Sequence, residues 1–88
     1  MQIEYSKTFI KKFKKCPANV KANFKKRLEV FIINQYDPAL NNHPLIGVLK
    51  DYRSINITGE WRAIFEEIDA GKVVYFIAIG THSQLYSS

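Results

Sequence analysis

The sequence predicts an α+β domain in the order β-α-α-β-β-β, with an N-terminal strand and a helical hairpin packed on one face of a small, mainly antiparallel sheet. Two patterns predict it: apolar residues recur at helical spacing in the first third of the chain, and they alternate with polar ones further on, between tight turns. At 88 residues, 47% hydrophobic and 14% aromatic, the chain has the material for one domain, residues 1–88, with a core of its own.

Ile3 and Tyr5 alternate with polar neighbours and predict a short opening strand. Ser6 offers an N-cap to a first helix, in which Phe9, Ile10 and Phe13 form the apolar stripe and Lys11, Lys12, Lys14 and Lys15 the opposite side. Pro17 ends this helix or starts the next, which runs from Pro17 to Gln35 with the stripe Val20, Phe24, Leu28, Phe31 and Ile32. Two amphipathic helices joined so closely form a hairpin.

Asp37-Pro38, Asn41-Asn42, His43-Pro44 and Gly47 mark residues 37–47 as a loop, with Pro44 holding His43 extended. Strands follow at Tyr52–Thr58, Trp61–Ile68 and Val73–Ile79, with turns at Thr58-Gly59-Glu60 and Asp69-Ala70-Gly71-Lys72. The last of the three is apolar on both faces, as a central strand would be. Gly80 is expected to stop it and release the tail Thr81 to Tyr86.

Charge is uneven along the chain. Residues 1–27 carry nine basic side chains against Glu4 alone, a net +8, while the remainder has four basic and seven acidic groups, a net −3, and the whole is +5. A basic front half suits a polyanion such as nucleic acid, or simply keeps a helix face solvated. One cysteine, Cys16, excludes an internal disulfide, and no Cys/His cluster has zinc spacing. Val73 to Ile79, the longest apolar stretch, is too short for a membrane span, and the first residues lack a signal-peptide core. A cytoplasmic protein without metal or small-molecule cofactor is expected.

If Ile55 and Ile57 point at the helices, then Ser54 and Asn56 point at the open face. In the next strand Trp61, Ala63 and Phe65 take the core side and Arg62 the open one. His82 and Tyr86 of the tail belong nearby, joined by Arg53, Lys50 and His43. Arginine forks onto phosphate oxygens, histidine moves protons and tyrosine stacks on bases.

These residues carry a resemblance. The run Leu49 to Phe65, LKDYRSINITGEWRAIF, resembles the signature of the RelE/ParE superfamily of bacterial toxins. The run Ile79 to Tyr86, IGTHSQLY, resembles the closing motif of its RelE and YafQ branch, and His43-Pro44-Leu45-Ile46-Gly47 resembles the loop before the signature in YafQ-like members.

The resemblance implies a RelE-like fold and a type II toxin that cleaves messenger RNA in the ribosomal A site, neutralised by a cognate antitoxin in a hetero-oligomer. It implies metal-independent chemistry: the ribose 2′-OH attacks the neighbouring phosphate and leaves a 2′,3′-cyclic phosphate and a 5′-OH. Carried over by position, His82 is the acid/base residue, Tyr86 the terminal aromatic, Arg62 the phosphate-stabilising arginine and His43 the loop histidine. Lys50, Arg53, Ser54, Asn56 and Glu60 are the expected RNA contacts. The chain departs from the branch at Ser54 and Asn56, where YafQ-like toxins have an acid and a histidine, and at Glu60, where they have aspartate. Two other readings share the fold: a ParE-like gyrase inhibitor, which needs no acid/base histidine, and a non-catalytic RNA- or ribosome-binding relative.

Overall fold

The computed structural model describes residues 1–86. Strand β1 (Gln2–Tyr5) leads into helices α1 (Lys7–Lys14) and α2 (Ala18–Ile33), followed by β2 (His43–Pro44), β3 (Arg53–Asn56), β4 (Trp61–Ile68), β5 (Val73–Thr81) and a final short helix α3 (His82–Tyr86). The sheet order is β1-β5-β4-β3-β2, antiparallel except for the parallel pair β1 and β5. The α+β class and the mainly antiparallel sheet are as expected. The two-residue β2 lies inside what the sequence presents as a loop, and Gly80 continues β5 rather than ending it. Both differences have a pairing cause: His43 lies opposite Ser54, and Gly80 opposite Arg62, so partner strands hold segments too short or too flexible to declare themselves.

Ser6 caps α1 by accepting from the Phe9 N–H at 2.9 Å, and its hydroxyl donates to the Ile77 carbonyl at 3.0 Å. One side chain thus starts the helix and pins it to β5. Phe9, Phe24, Phe31, Phe65 and Phe76 are buried and form an aromatic core with Tyr5, ring centroids lying 5.2 to 6.4 Å apart. The helical stripes run slightly narrower than the sequence suggests. Ile10 is 43% exposed and Ile32 53%, because each sits at the margin of the face that meets the sheet.

Ile64 pairs with Ala78 but Phe65 pairs with Phe76, so β5 bulges at Ile77. The bulge keeps Phe65 and Phe76 on the core side and lets the far end of β5 continue to Thr81. Cys16 is a buried thiol donating to the Lys12 carbonyl at 3.4 Å. Among the described residues no helix is long and apolar enough to cross a membrane.

Candidate active site

The site begins with a capping box that starts α3. Thr81 Oγ1 accepts from the Gln84 N–H at 3.2 Å, and Gln84 Oε1 accepts from the Thr81 N–H at 2.9 Å. The His82 N–H donates to the Glu60 carbonyl at 2.8 Å, tying the helix to the β3–β4 turn. Gly80 is the pivot: a Cβ there would stand 3.1 Å from Gln84 Oε1 and 3.3 Å from Leu85 Cδ2, so a larger residue would press α3 away from the strand end by a few tenths of an ångström.

Folded back this way, α3 lays Tyr86 across the sheet, where its hydroxyl donates to Ser54 Oγ at 3.0 Å. His82 stands one helical turn earlier, exposed at the rim, with its ring edge-on to Tyr86 at 4.7 Å. His43 lies directly opposite Ser54, on the same face of the sheet. Its Nδ1 contacts the Asn41 carbonyl at 2.7 Å. A carbonyl can only accept, so Nδ1 carries the proton, and in the neutral ring Nε2 presents the lone pair.

Arg62 shares that face, opposite Asn56. Its Nη1 donates to the Thr58 and Trp61 carbonyls, each at 3.0 Å, and its Nη2 to the Gly59 carbonyl at 3.2 Å. The turn therefore holds the guanidinium rigidly, and a cation fixed before a ligand arrives stabilises developing charge without reorganising. Beside it, among the described residues, Asn56 Oδ1 is a buried side-chain oxygen with no hydrogen-bond partner.

The structure thus gathers His43, Ser54, Asn56, Arg62, His82 and Tyr86, with Glu60 supplying a backbone carbonyl while its side chain is exposed. Three of the expected RNA contacts stand differently. Ser54 is 0% exposed beneath Tyr86, whose hydroxyl it holds. Arg53 pairs with Phe65 and so faces the helix side: its Nε donates to Asn42 Oδ1 at 2.8 Å and its guanidinium lies 5.6 Å from the Tyr36 ring. Lys50 lines a recess with Asp51, Arg53 and Glu67. Thr81-His82-Ser83-Gln84 is a legible capping-box signature that the sequence reading does not use, and Gly80 reads there as a strand stop rather than a pivot. Among the described residues, no group of three or more His, Cys, Asp or Glu side chains could hold a metal ion.

A family model described as the bacterial toxin of a type II toxin–antitoxin system, YafQ, matches residues 1–87. The chain belongs to this family. A YafQ mutant from E. coli superposes with a TM-score of 0.75 at 26% identity, covering 97% of each chain. An E. coli DinJ–YafQ complex gives 0.73 at 27% identity, again over 97% of each chain. A YoeB/ParE toxin from Agrobacterium tumefaciens, 16% identical over 93% of this chain and 99% of that one, shares the fold with a TM-score of 0.78. Among curated proteins, none matches significantly. This YafQ-family toxin therefore has the RelE-like fold that its motifs implied.

Proposed function

We propose that this YafQ-family toxin is a messenger RNA endoribonuclease of the cytoplasm that acts on the ribosome and is held inactive by a cognate antitoxin. The observation that carries the reading is one sheet face that bears His43, the turn-held Arg62 and, through the Tyr86–Ser54 bond, the His82–Tyr86 pair. RNA supplies its own nucleophile, so the protein needs a proton acceptor for the 2′-OH, a donor for the departing 5′-oxygen and a cation beside the phosphorane. His43 Nε2 takes the 2′-OH proton, His82 gives one to the 5′-oxygen, and Arg62 balances the phosphorane charge. The products are a 2′,3′-cyclic phosphate and a 5′-OH.

Tyr86 positions the nucleotide, because its hydroxyl is already committed to Ser54 and its ring remains the usable surface. Asn56 Oδ1 supports the same reading: a buried acceptor left unpaired costs about 1–3 kcal/mol, and a ribose hydroxyl brings the donor that relieves it. The partner inference draws on the DinJ–YafQ complexes of the E. coli relative and on the net +8 of residues 1–27, which an acidic antitoxin segment would complement.

Brief induction in bacteria, with mapping of new RNA 5′ ends and of plasmid supercoiling, tests the reading. Cuts inside reading frames with 5′-OH ends are expected. Altered supercoiling without cuts would make the chain a gyrase inhibitor, and ribosome binding with neither effect would make it a non-catalytic relative.

A further inference from the structure

Between α1, the start of β4 and α3 lies a cavity of about 530 Å³, lined by Lys11, Lys12, Lys15, Trp61, Ile79 and Gln84 among others. Among the described residues no acidic side chain lines it. Lysines in the last turn of α1 also complement the helix dipole, which accounts for cations on this helix but not for an indole and an amide across a cavity from them. The volume falls in the ~300–1,000 Å³ range of small-ligand sites, room for a nucleotide.

The cavity adjoins the active site. Trp61 directly precedes Arg62, the Glu60 carbonyl takes the His82 N–H, and Gln84 caps the helix that carries His82. Trp61 lies opposite Thr81 and packs against the core, so the cavity opens on the helix side of the sheet, across the strand ends from Tyr86. We propose that this cavity is a second nucleic-acid subsite, in which single-stranded RNA lays its phosphates on Lys11, Lys12 and Lys15 and stacks one base on Trp61. The inference rests on the reading of the chain as an RNA-cutting toxin. A strand leaving His82 rounds the end of the sheet and enters the cavity, so binding energy remote from the scissile bond orients it.

Trp61 is the sole tryptophan of the chain, and its emission reports occupancy directly. The test titrates purified protein with octauridylate at several salt concentrations. Quenching of Trp61 is expected, and the variant K11Q/K12Q/K15Q, altered only at exposed side chains of the cavity, should bind on the order of tenfold more weakly at low salt with a log–log salt slope about 2 units shallower, at ~0.7 per phosphate contact. RNA binding that leaves Trp61 emission unchanged, or an unchanged salt slope in the variant, overturns the subsite. Polyglutamate that quenches Trp61 as strongly also overturns it and makes the cavity a surface for acidic protein. His82→Gln should quench like the wild type. Quenching by a wild-type protein that cuts no RNA would sustain the subsite and sink the nuclease reading instead. Ultraviolet crosslinking at Trp61 on translating ribosomes then distinguishes messenger from ribosomal RNA, and crosslinks to protein alone count against the proposal.

Discussion

The Tyr86 hydroxyl donates to the Ser54 hydroxyl at 3.0 Å, across 32 residues of sequence and beneath a helix of five. This bond is the only hydrogen bond from side chain to side chain between α3 and the sheet among the described residues. Its energetics are therefore open to a clean test. Tyr86→Phe strands the Ser54 hydroxyl in a buried place, and Ser54→Ala strands the phenol. Each should cost roughly 1 kcal/mol, while the double variant, which removes both polar groups, should be more stable than the sum of the two losses implies. Urea denaturation of the four proteins measures the coupling; strictly additive losses would mean that the bond contributes nothing.

Gly80→Ala should lower RNA cleavage more than it lowers stability. The added methyl meets Gln84 and Leu85 at 3.1 and 3.3 Å, and α3 must shift by a few tenths of an ångström to accept it. Displacements on that scale degrade a positioned catalytic group. Cleavage rates and melting curves for the one variant, compared with wild type, separate the two effects.

Arg62→Ala should cut the cleavage rate by about 10²-fold, the scale for one preorganised charge partner. The three carbonyls of the turn also lose their donors, so the melting temperature should fall as well. Arg62→Lys should rescue neither property, because an ammonium cannot fork onto separated carbonyls. Full activity in the lysine variant would remove Arg62 from the site.

Burial raises the Tyr5 phenol and the Cys16 thiol above their ordinary values of 10.0 and 9.0, with Lys21 partly offsetting the shift at the thiol. A raised folded pKa stabilises the protein while the group stays protonated in both states, and that stability is lost as pH climbs past the unfolded value. The melting temperature should hold up to about pH 9 and decline above it. Cys16→Ser and Tyr5→Phe should each flatten the decline, which differential scanning fluorimetry across pH 7–11 would reveal.

Much of this arrangement is legible in the residues themselves. The strand over Trp61–Ile68 coincides with its sequence reading because its alternation is bounded by two tight turns. Ser6 shows its cap because serine stands directly before a 3.6-period stripe. The faces were harder to read. Ser54 alternates with Ile55 and so belongs to the uncovered face, as the pattern says, yet α3 returns to cover it through contacts 32 residues distant. Arg53 is one residue from Ser54, and the period of two turns it to the helix side, where Asn42 and Tyr36 receive it. Its charge suggested phosphate, but strand parity decided its neighbours. The motif points to His82 and Tyr86, and the capping box that orients them lies in the same six residues, Thr81 to Tyr86.

The most direct test of the account is the rate at which purified His82→Gln protein cuts messenger RNA on programmed ribosomes. The imidazole is exposed at the rim and makes no core contact, so the variant should fold, melt and bind antitoxin like the wild type. Its cleavage should fall by roughly 10²–10⁴-fold, the contribution of a positioned proton donor. Cleavage at the wild-type rate by a normally folded His82→Gln protein would contradict the assignment, and would leave the proton transfers to His43 or to the ribosome.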